Sequence, residues 1–559
     1  MRKRLWITVP LCLLAGAAFA AISVGSAAGS TAHTASIKPT LNLVADSTDI
    51  DHSDPALSYS VLGWQIEQET CDTLVGYSDH SGSVSNSISP LAAKGLPVIS
   101  NSGKTYKFTI RTGLHFSDGA PITAANYQYA FDRDALKAIN SPVTAFMGGV
   151  VGWNTENNSN TLQSVSGVTA KGQTLTIQLS QSDGTMLPKL ALPFFCPIEK
   201  KAPFFAGGKW VSTEITKGFP GSGPYYLYKR VVGNQMVLKL NSHYKGLKQH
   251  RASTIIINML VSQPTAYAGI NTGKYALDVN GNPQPANNKT LFNKYGVNKT
   301  RFWVEPTLII SYAAMNFDRS LFGNHPGLRQ AVNDVIDRPG ILNIAGYLSG
   351  NPQTQALPKA LAGTNWKQAY QFPITAPDNA RFANAKALGN NCAGGKNMNY
   401  WHSNSSTGVQ VATLLTYDWQ QLGCSVTDVP LSGYQRYTQA GIKGNSMDLG
   451  TFGWSDDYPD GFDWFGILLD GRTIGPNNNN DLAYLNDATL NAKTDHCNSL
   501  TGSARVNCWG AEDQWMTANI TPWAVENASN FVDYIGPKTH NYHYDAPFAS
   551  AELGLVYSS

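Results

Sequence analysis

Arg2, Lys3 and Arg4 precede an apolar stretch from Leu5 to about Val24, and the small residues GSAAGS follow it. Basic residues, an apolar run and small residues in that order are the layout of a secretory signal. The mature chain is therefore expected outside the cytoplasm, in an oxidising compartment. Cleavage after Ala28 (Ser26-Ala27-Ala28) fits better than cleavage after Ala20, because it clears the apolar run. The alternative for residues 1–28 is an uncleaved anchor, since the run approaches the ~20 residues that span a bilayer. Cys12 does not read as a lipoprotein cysteine: Leu11 stands where a small residue is needed, and the apolar segment before it is too short.

Removing the signal takes Cys12 from the seven cysteines and leaves six, an even number that favours disulfides over metal thiolates. Short separations favour Cys497–Cys508 and Cys392–Cys424, which leaves Cys71 with Cys196 among fifteen connectivities open to six cysteines. No CxxC pair supports a zinc or redox site. His540 and His543, the closest histidine pair, have no cysteine nearby and read as surface residues.

At 559 residues and 42% hydrophobic, the chain is too long for one core and divides into lobes that could each fold alone. A net charge of +3, with no Lys/Arg run after Arg4, argues against a nucleic-acid partner. From Thr40 to about Arg301, strand-like runs (TYKFTIRTG, KGQTLTIQLS, STIIINML) alternate with helical stretches. The run YQYAFDRDALKAI has helical spacing with Thr123 as N-cap, and core packing accounts for its aromatics. Gly/Ser/Asn-rich segments at 78–89, 152–167 and 280–290 read as exposed connections. Past Tyr312 the chain becomes helix-rich: Pro326 begins a helix, Pro339 forces a break, and TGVQVATLLTYDWQQLG ends at Gly423 before the strand-like CSVTDVPL.

GTFGWSDDYPDGFDWFG (450–466) concentrates four aspartates among aromatics, in a chain only 14% charged. As a calcium loop starting at Asp456 it fails, because Tyr458 and Ile467 fall where oxygen ligands are needed. A glycosidase needs two carboxylates held across a sugar, about 5–10 Å apart; Asp456, Asp457, Asp460 and Asp463 could supply them, but neighbours in one segment rarely face one cleft. No GxSxG, HExxH, Walker A or GxGxxG motif is present. No catalytic residue, metal or cofactor is assigned.

GKTYKFTIRTGLHFSDGAPITAANYQYAFDR (103–133) resembles the family 5 extracellular solute-binding proteins of ABC importers. DHSDPALSY (51–59), GSGPYYL (221–227), LRQAVNDVIDRPGI (328–341) and MDLGTFGWSDDYPD (447–460) agree with that family in order, so the likeness spans nearly the whole mature chain. It implies an α/β, two-lobed, periplasmic-binding-protein-like fold (type II, cluster C) with an extra subdomain in lobe one. Lobe one would take residues 29–305, lobe two 306–517, and 518–559 would return to lobe one. The chain would cross near 305–316 and back near 518–532, with the ligand between lobes that close by a hinge.

The resemblance also implies a monomeric receptor, exported to the periplasm or cell surface, that captures a peptide and passes it to a membrane permease. A nickel chelate, oligosaccharide or opine is the non-peptide alternative, and a secreted carbohydrate hydrolase the alternative of another class. In peptide-binding members a G-W-x-x-D segment supplies ligand contacts, here Gly453, Trp454 and Asp457. Asp457 would pair with the peptide's α-ammonium, and backbone groups of Gly453 and Ser455 would bond its main chain like an added strand. Asp456 departs from the family's usual small residue and brings a second carboxylate. Ser47 and Thr48, after the LNLVAD strand, are expected at the cleft from lobe one. Trp303, Trp401 and Tyr434 are further candidate walls.

Overall fold

The computed structural model describes residues 38–46, 49–77, 87–200, 205–206, 209–210, 220–281, 284–363 and 372–559. The signal segment with Cys12, the 78–86 part of one expected connection, and Ser47 and Thr48 lie outside them. The side chain of Tyr434 is likewise not described.

Lobe one is built on a four-stranded sheet in the order Lys38–Asp46, Ala252–Val261, Gln235–Leu240, Tyr225–Val231. Alternation sets its faces: in Ala252–Val261 the side chains of Ala252, Ile255, Ile257 and Met259 are buried and those between them are not. Period-two burial places one face on the core. A second four-stranded sheet, in the order Val98–Ser100, Thr105–Thr109, Thr174–Gln178, Val168–Lys171, turns Phe108, Leu175 and Ile177 inward. The helix Ala124–Asp134 packs there with Tyr127 and Phe131 fully buried. Its cap follows the sequence reading, since Thr123 donates its backbone N–H to Asn126 Oδ1 at 2.9 Å.

Two of the recurring motifs dock on each other here. Ser117 of FSDG donates its N–H to the Gly221 carbonyl at 2.9 Å, and Gly221 donates to Ser117 Oγ at 3.1 Å. Gly223 is required by close approach, because a Cβ there would sit 2.5 Å from Cys71 N and 2.6 Å from the Glu69 carbonyl.

Lobe two carries a six-stranded sheet in the order Gly350–Pro352, Trp523–Tyr534, Phe302–Met315, Leu449–Ser455, Asn397–Ser403, Ser425–Leu431. Its two longest strands, Phe302–Met315 and Trp523–Tyr534, run antiparallel from Phe302↔Tyr534 to Ala314↔Trp523. At one end, Phe302, Val532 and Tyr534 pack with Val44 and Ile270 of lobe one. At the other, Ala313, Met315 and Ala524 pack with Leu328 and Trp419 of lobe two. The same strand pair thus enters both cores. Pro306 stands beside a register shift between Pro306 and Ile310, where a missing ladder donor is tolerated.

Helices Pro326–Asp334 and Arg338–Ala345 are separated as Pro326 and Pro339 foretold, each proline lying in the first turn of its helix. The R-Q-A…D-R motif on them is structural. Fully buried Arg338 donates to the carbonyls of Gln353 and Val525 at 3.0 and 2.8 Å, and Arg329 donates to the Ile520 carbonyl at 2.9 Å. These bonds fix the helices to the returning strand. Three disulfides join Cys71–Cys196, Cys392–Cys424 and Cys497–Cys508.

Candidate ligand-binding site

The strand Leu449–Ser455 lies against Phe302–Met315, with Ser311 opposite Gly453 and Ile309 opposite Ser455. It ends at Ser455, the chain turns through Asp456 to Gly461, and the helix Phe462–Leu468 begins. The four aspartates of this turn have separate surroundings. Asp460 caps the helix by accepting from Phe462 N at 2.9 Å, and Arg505 grips both its oxygens at 2.7 Å. It is held by the helix Gly502–Asn519 and belongs to the framework. Asp463 is fully buried and accepts from Trp454 Nε1 at 2.9 Å and from the Asp457 backbone N–H at 3.0 Å. It fixes both the indole and the turn that presents Asp457.

The facing wall comes from DHSDPALSY and the helix after it. Asp51 accepts from Tyr59 N at 2.6 Å and from Ser60 Oγ at 2.7 Å, while Ser60 Oγ caps the helix Val61–Thr70 by accepting from Gly63 N at 3.2 Å. Trp64, one turn along, donates its indole N–H to the Ser58 carbonyl at 2.9 Å. The Tyr59 and Trp64 rings sit 5.6 Å apart, and Phe194 packs on both at 6.0 and 5.7 Å. Asp54, in the same motif, forms a buried ion pair with Arg133 at 2.9 Å and anchors the loop from behind.

Between the walls lies a cavity of about 310 Å³, lined by Tyr59, Ser60, Val61, Trp64 and Phe548 on one side and by Tyr437 and Gly453 to Asp457 on the other. Tyr59 spans it, donating its hydroxyl to Asp457 Oδ2 at 2.8 Å. Among the described residues, neither Lys nor Arg lines it. Asp456 and Asp457 are 4% and 5% exposed, and burial raises both carboxyls, and that of Asp463, above the ordinary carboxylate range. Asp457 is drawn back down by the hydroxyl of Tyr59, whereas Asp456 is pushed further up by the charge of Asp457. A buried charge without a partner costs about 3–5 kcal/mol, so with nothing opposite them these carboxyls are held toward their neutral form.

Gly453, Trp454, Ser455, Asp456 and Asp457 are thus brought together on one cavity wall. The Gly453 main chain is engaged by Tyr437, whose hydroxyl accepts from Gly453 N at 2.9 Å and donates to Gly453 O at 2.8 Å. Trp303 and Trp401 are not among the lining residues: Trp303 packs on Tyr542 at 4.9 Å, and Trp401 is buried in the core. Sequence reasoning missed Tyr59, Trp64, Tyr437 and Phe548. Tyr59 closes a motif already singled out, so its signal was available; Phe548 lies in the C-terminal segment and had none. Among the described residues, no three His, Cys, Asp or Glu side chains are placed to hold a metal ion, and no helix is long and apolar enough to cross a membrane.

Two α/β lobes joined by a pair of long strands, with an acid-lined cavity between facing walls, define a two-lobed solute receptor. Residues 87–475 match the bacterial extracellular solute-binding proteins, family 5 Middle, and the chain belongs to that family. It is similar to heme-binding protein A of Haemophilus influenzae, 24% identical over 471 residues and 80% of each chain. Among solved structures it is similar to the clavulanic acid biosynthesis oligopeptide binding protein 2, with a TM-score of 0.79 at 18% identity over 93% of this chain and 97% of the other. It is also similar to the periplasmic binding protein DppA from Helicobacter pylori in complex with the peptide STSA, with a TM-score of 0.73 at 16% identity over 93% and 98%.

Proposed function

We propose that this protein is the exported solute-capturing component of an ABC importer, that its solute is a short peptide with a free amino terminus, and that it hands this peptide unaltered to a membrane permease. The observation that carries the reading is the cavity itself: two buried carboxylates, of Asp456 and Asp457, on a wall with no Lys or Arg among the described residues. A peptide's α-ammonium supplies the missing charge, and pairing it with Asp457 relieves the cost of burying that carboxylate. Trp64, Trp454 and Phe548 offer apolar surface to a side chain, as ligand pockets commonly do. The volume of about 310 Å³ is at the low end for ligand cavities, roughly 300–1,000 Å³, which favours a short peptide. Relatives that bind oligopeptides and the peptide STSA support the same class of solute.

A hydrolase acting through this segment has less support. Asp457 and Asp463 are tied to each other through a 3.0 Å bond on one wall, while among the described residues the facing wall contributes Tyr59, Ser60, Val61, Trp64 and Phe548 and no carboxylate. Glycoside hydrolysis needs its two carboxylates to flank the sugar. The lobe and tail boundaries, export by the N-terminal segment, and action as a monomer belong to this reading. Native mass spectrometry of protein taken through mild purification tests it: a retained peptide is expected, and a retained oligosaccharide or metal chelate overturns the peptide assignment.

A further inference from the structure

Asp456 has no role in the framework. Among the described residues, neither of its carboxylate oxygens has a hydrogen-bond partner beyond its own backbone amide, although the residue is only 4% exposed and lines the cavity. The charges that bear on it most are those of Asp457 and Asp545, both acidic. Yet it does not duplicate Asp457. Asp457 looks to Tyr59 and Asp463, through a hydroxyl bond and a backbone bond. Asp456 lines the cavity with Trp64 and Phe548, and its charge raises the phenols of Tyr77 and Tyr544. The hydroxyls of both tyrosines are buried without a hydrogen-bond partner. Tyr77 packs edge-on against Phe548 at 6.0 Å, and Phe548 against Trp64 at 6.2 Å. The second carboxylate therefore shares its cavity with the Trp64 and Phe548 rings, a setting that suits an ammonium or guanidinium.

We propose that Asp456 is a second cation subsite, which makes this receptor selective for peptides whose first residue carries a basic side chain. The α-ammonium rests on Asp457 and the side-chain cation on Asp456. The inference rests on the peptide reading above, and it adds which peptides are taken. A single ammonium leaves one of two buried carboxylates unpaired; a lysine or arginine at the first position brings one cation for each.

The test is calorimetric titration of the whole protein with Lys-Ala-Ala and with norleucine-Ala-Ala, which keeps the aliphatic side chain and drops its charge. Wild type is expected to bind the lysine peptide about tenfold or more tighter, the lower bound for a close buried charge pair. Asp456→Asn should bring the lysine peptide to the affinity of the norleucine peptide, and Asp456→Ala should do the same. Equal affinity of wild type for both peptides overturns the proposal and spares the peptide reading. Equal weakening of both by Asp456→Asn overturns it too, since Asp456 would then share the α-ammonium. Binding of neither peptide by wild type overturns the peptide reading and this proposal with it.

Discussion

Tyr59 donates its hydroxyl across the cleft to Asp457 Oδ2 at 2.8 Å, so that a residue of the DHSDPALSY motif meets a residue of the G-W-x-x-D motif nearly four hundred positions later. The bond joins the two walls directly and holds the carboxylate where the proposed ligand cation would meet it. A hydrogen bond to a charged group is worth about 1.5–3 kcal/mol. Tyr59→Phe is therefore expected to speed ligand release about ten- to hundredfold, read by stopped-flow or surface-plasmon dissociation. A release rate within twofold of wild type contradicts a closing role for Tyr59.

The acid-lined wall makes stability and binding respond to pH in opposite senses. Burial raises the carboxyls of Asp456 and Asp463 and brings Asp457 up to about 7. A carboxyl raised on folding contributes stability below its unfolded value, about 4, and loses that contribution as pH rises through the folded value. Ligand-free protein should gain melting temperature from about pH 8 to about pH 5, and Asp457→Asn should flatten this slope. Cation binding needs the ionised carboxylate, so affinity should fall as pH drops below about 7. Differential scanning fluorimetry with and without ligand reads both. Identical slopes for wild type and Asp457→Asn would count against the assignment.

Cys71 caps the helix that bears Trp64, and Cys196 directly follows the turn that bears Phe194, which packs on Tyr59 and Trp64. This disulfide braces the cleft wall as well as closing a long loop. In the chain-entropy account a loop of this length contributes about 5 kcal/mol. Replacing both cysteines by alanine should lower both melting temperature and ligand affinity. Removing Cys497 and Cys508, which close a span of 11 residues away from the cavity lining, should lower melting temperature alone. Equal effects on affinity from the two replacements would refute the bracing role.

The Tyr437 hydroxyl occupies both main-chain groups of Gly453, the groups an extended peptide would use. A ligand that adds as a strand must displace it. Tyr437→Phe should therefore bind peptide about five- to hundredfold tighter, from the loss of two ordinary hydrogen bonds of about 0.5–1.5 kcal/mol each. Weaker binding by Tyr437→Phe, measured by the same titration, shows instead that the phenol contacts the ligand.

Much of this was legible before any coordinates, for physical reasons that differ by element. Ala252–Val261 announces itself because one face is core and burial alternates from Ile255 to Met259, and Thr123 because capping is local. The G-W-x-x-D segment could be placed because its residues are neighbours in the chain. What could not be read were relations across the fold. Tyr59, Trp64, Tyr437 and Phe548 become cavity walls only when distant segments meet, and an aromatic in the sequence looks the same whether it packs in a core, as Trp401 does, or lines a cleft. The four aspartates were equally ambiguous. Only the positions of Arg505, Trp454 and Tyr59 sort them into a brace, an orienting group and two carboxyls that line the cavity.

The central claim is that Asp457 captures a peptide's α-ammonium. Its most direct test is the affinity of wild type and Asp457→Asn for one peptide with a free amino terminus and for the same peptide N-acetylated. In wild type, acetylation should weaken binding strongly, and Asp457→Asn should weaken the free-amino peptide far more than the acetylated one. Equal losses for the two peptides would mean that the carboxylate does not pair with the ammonium.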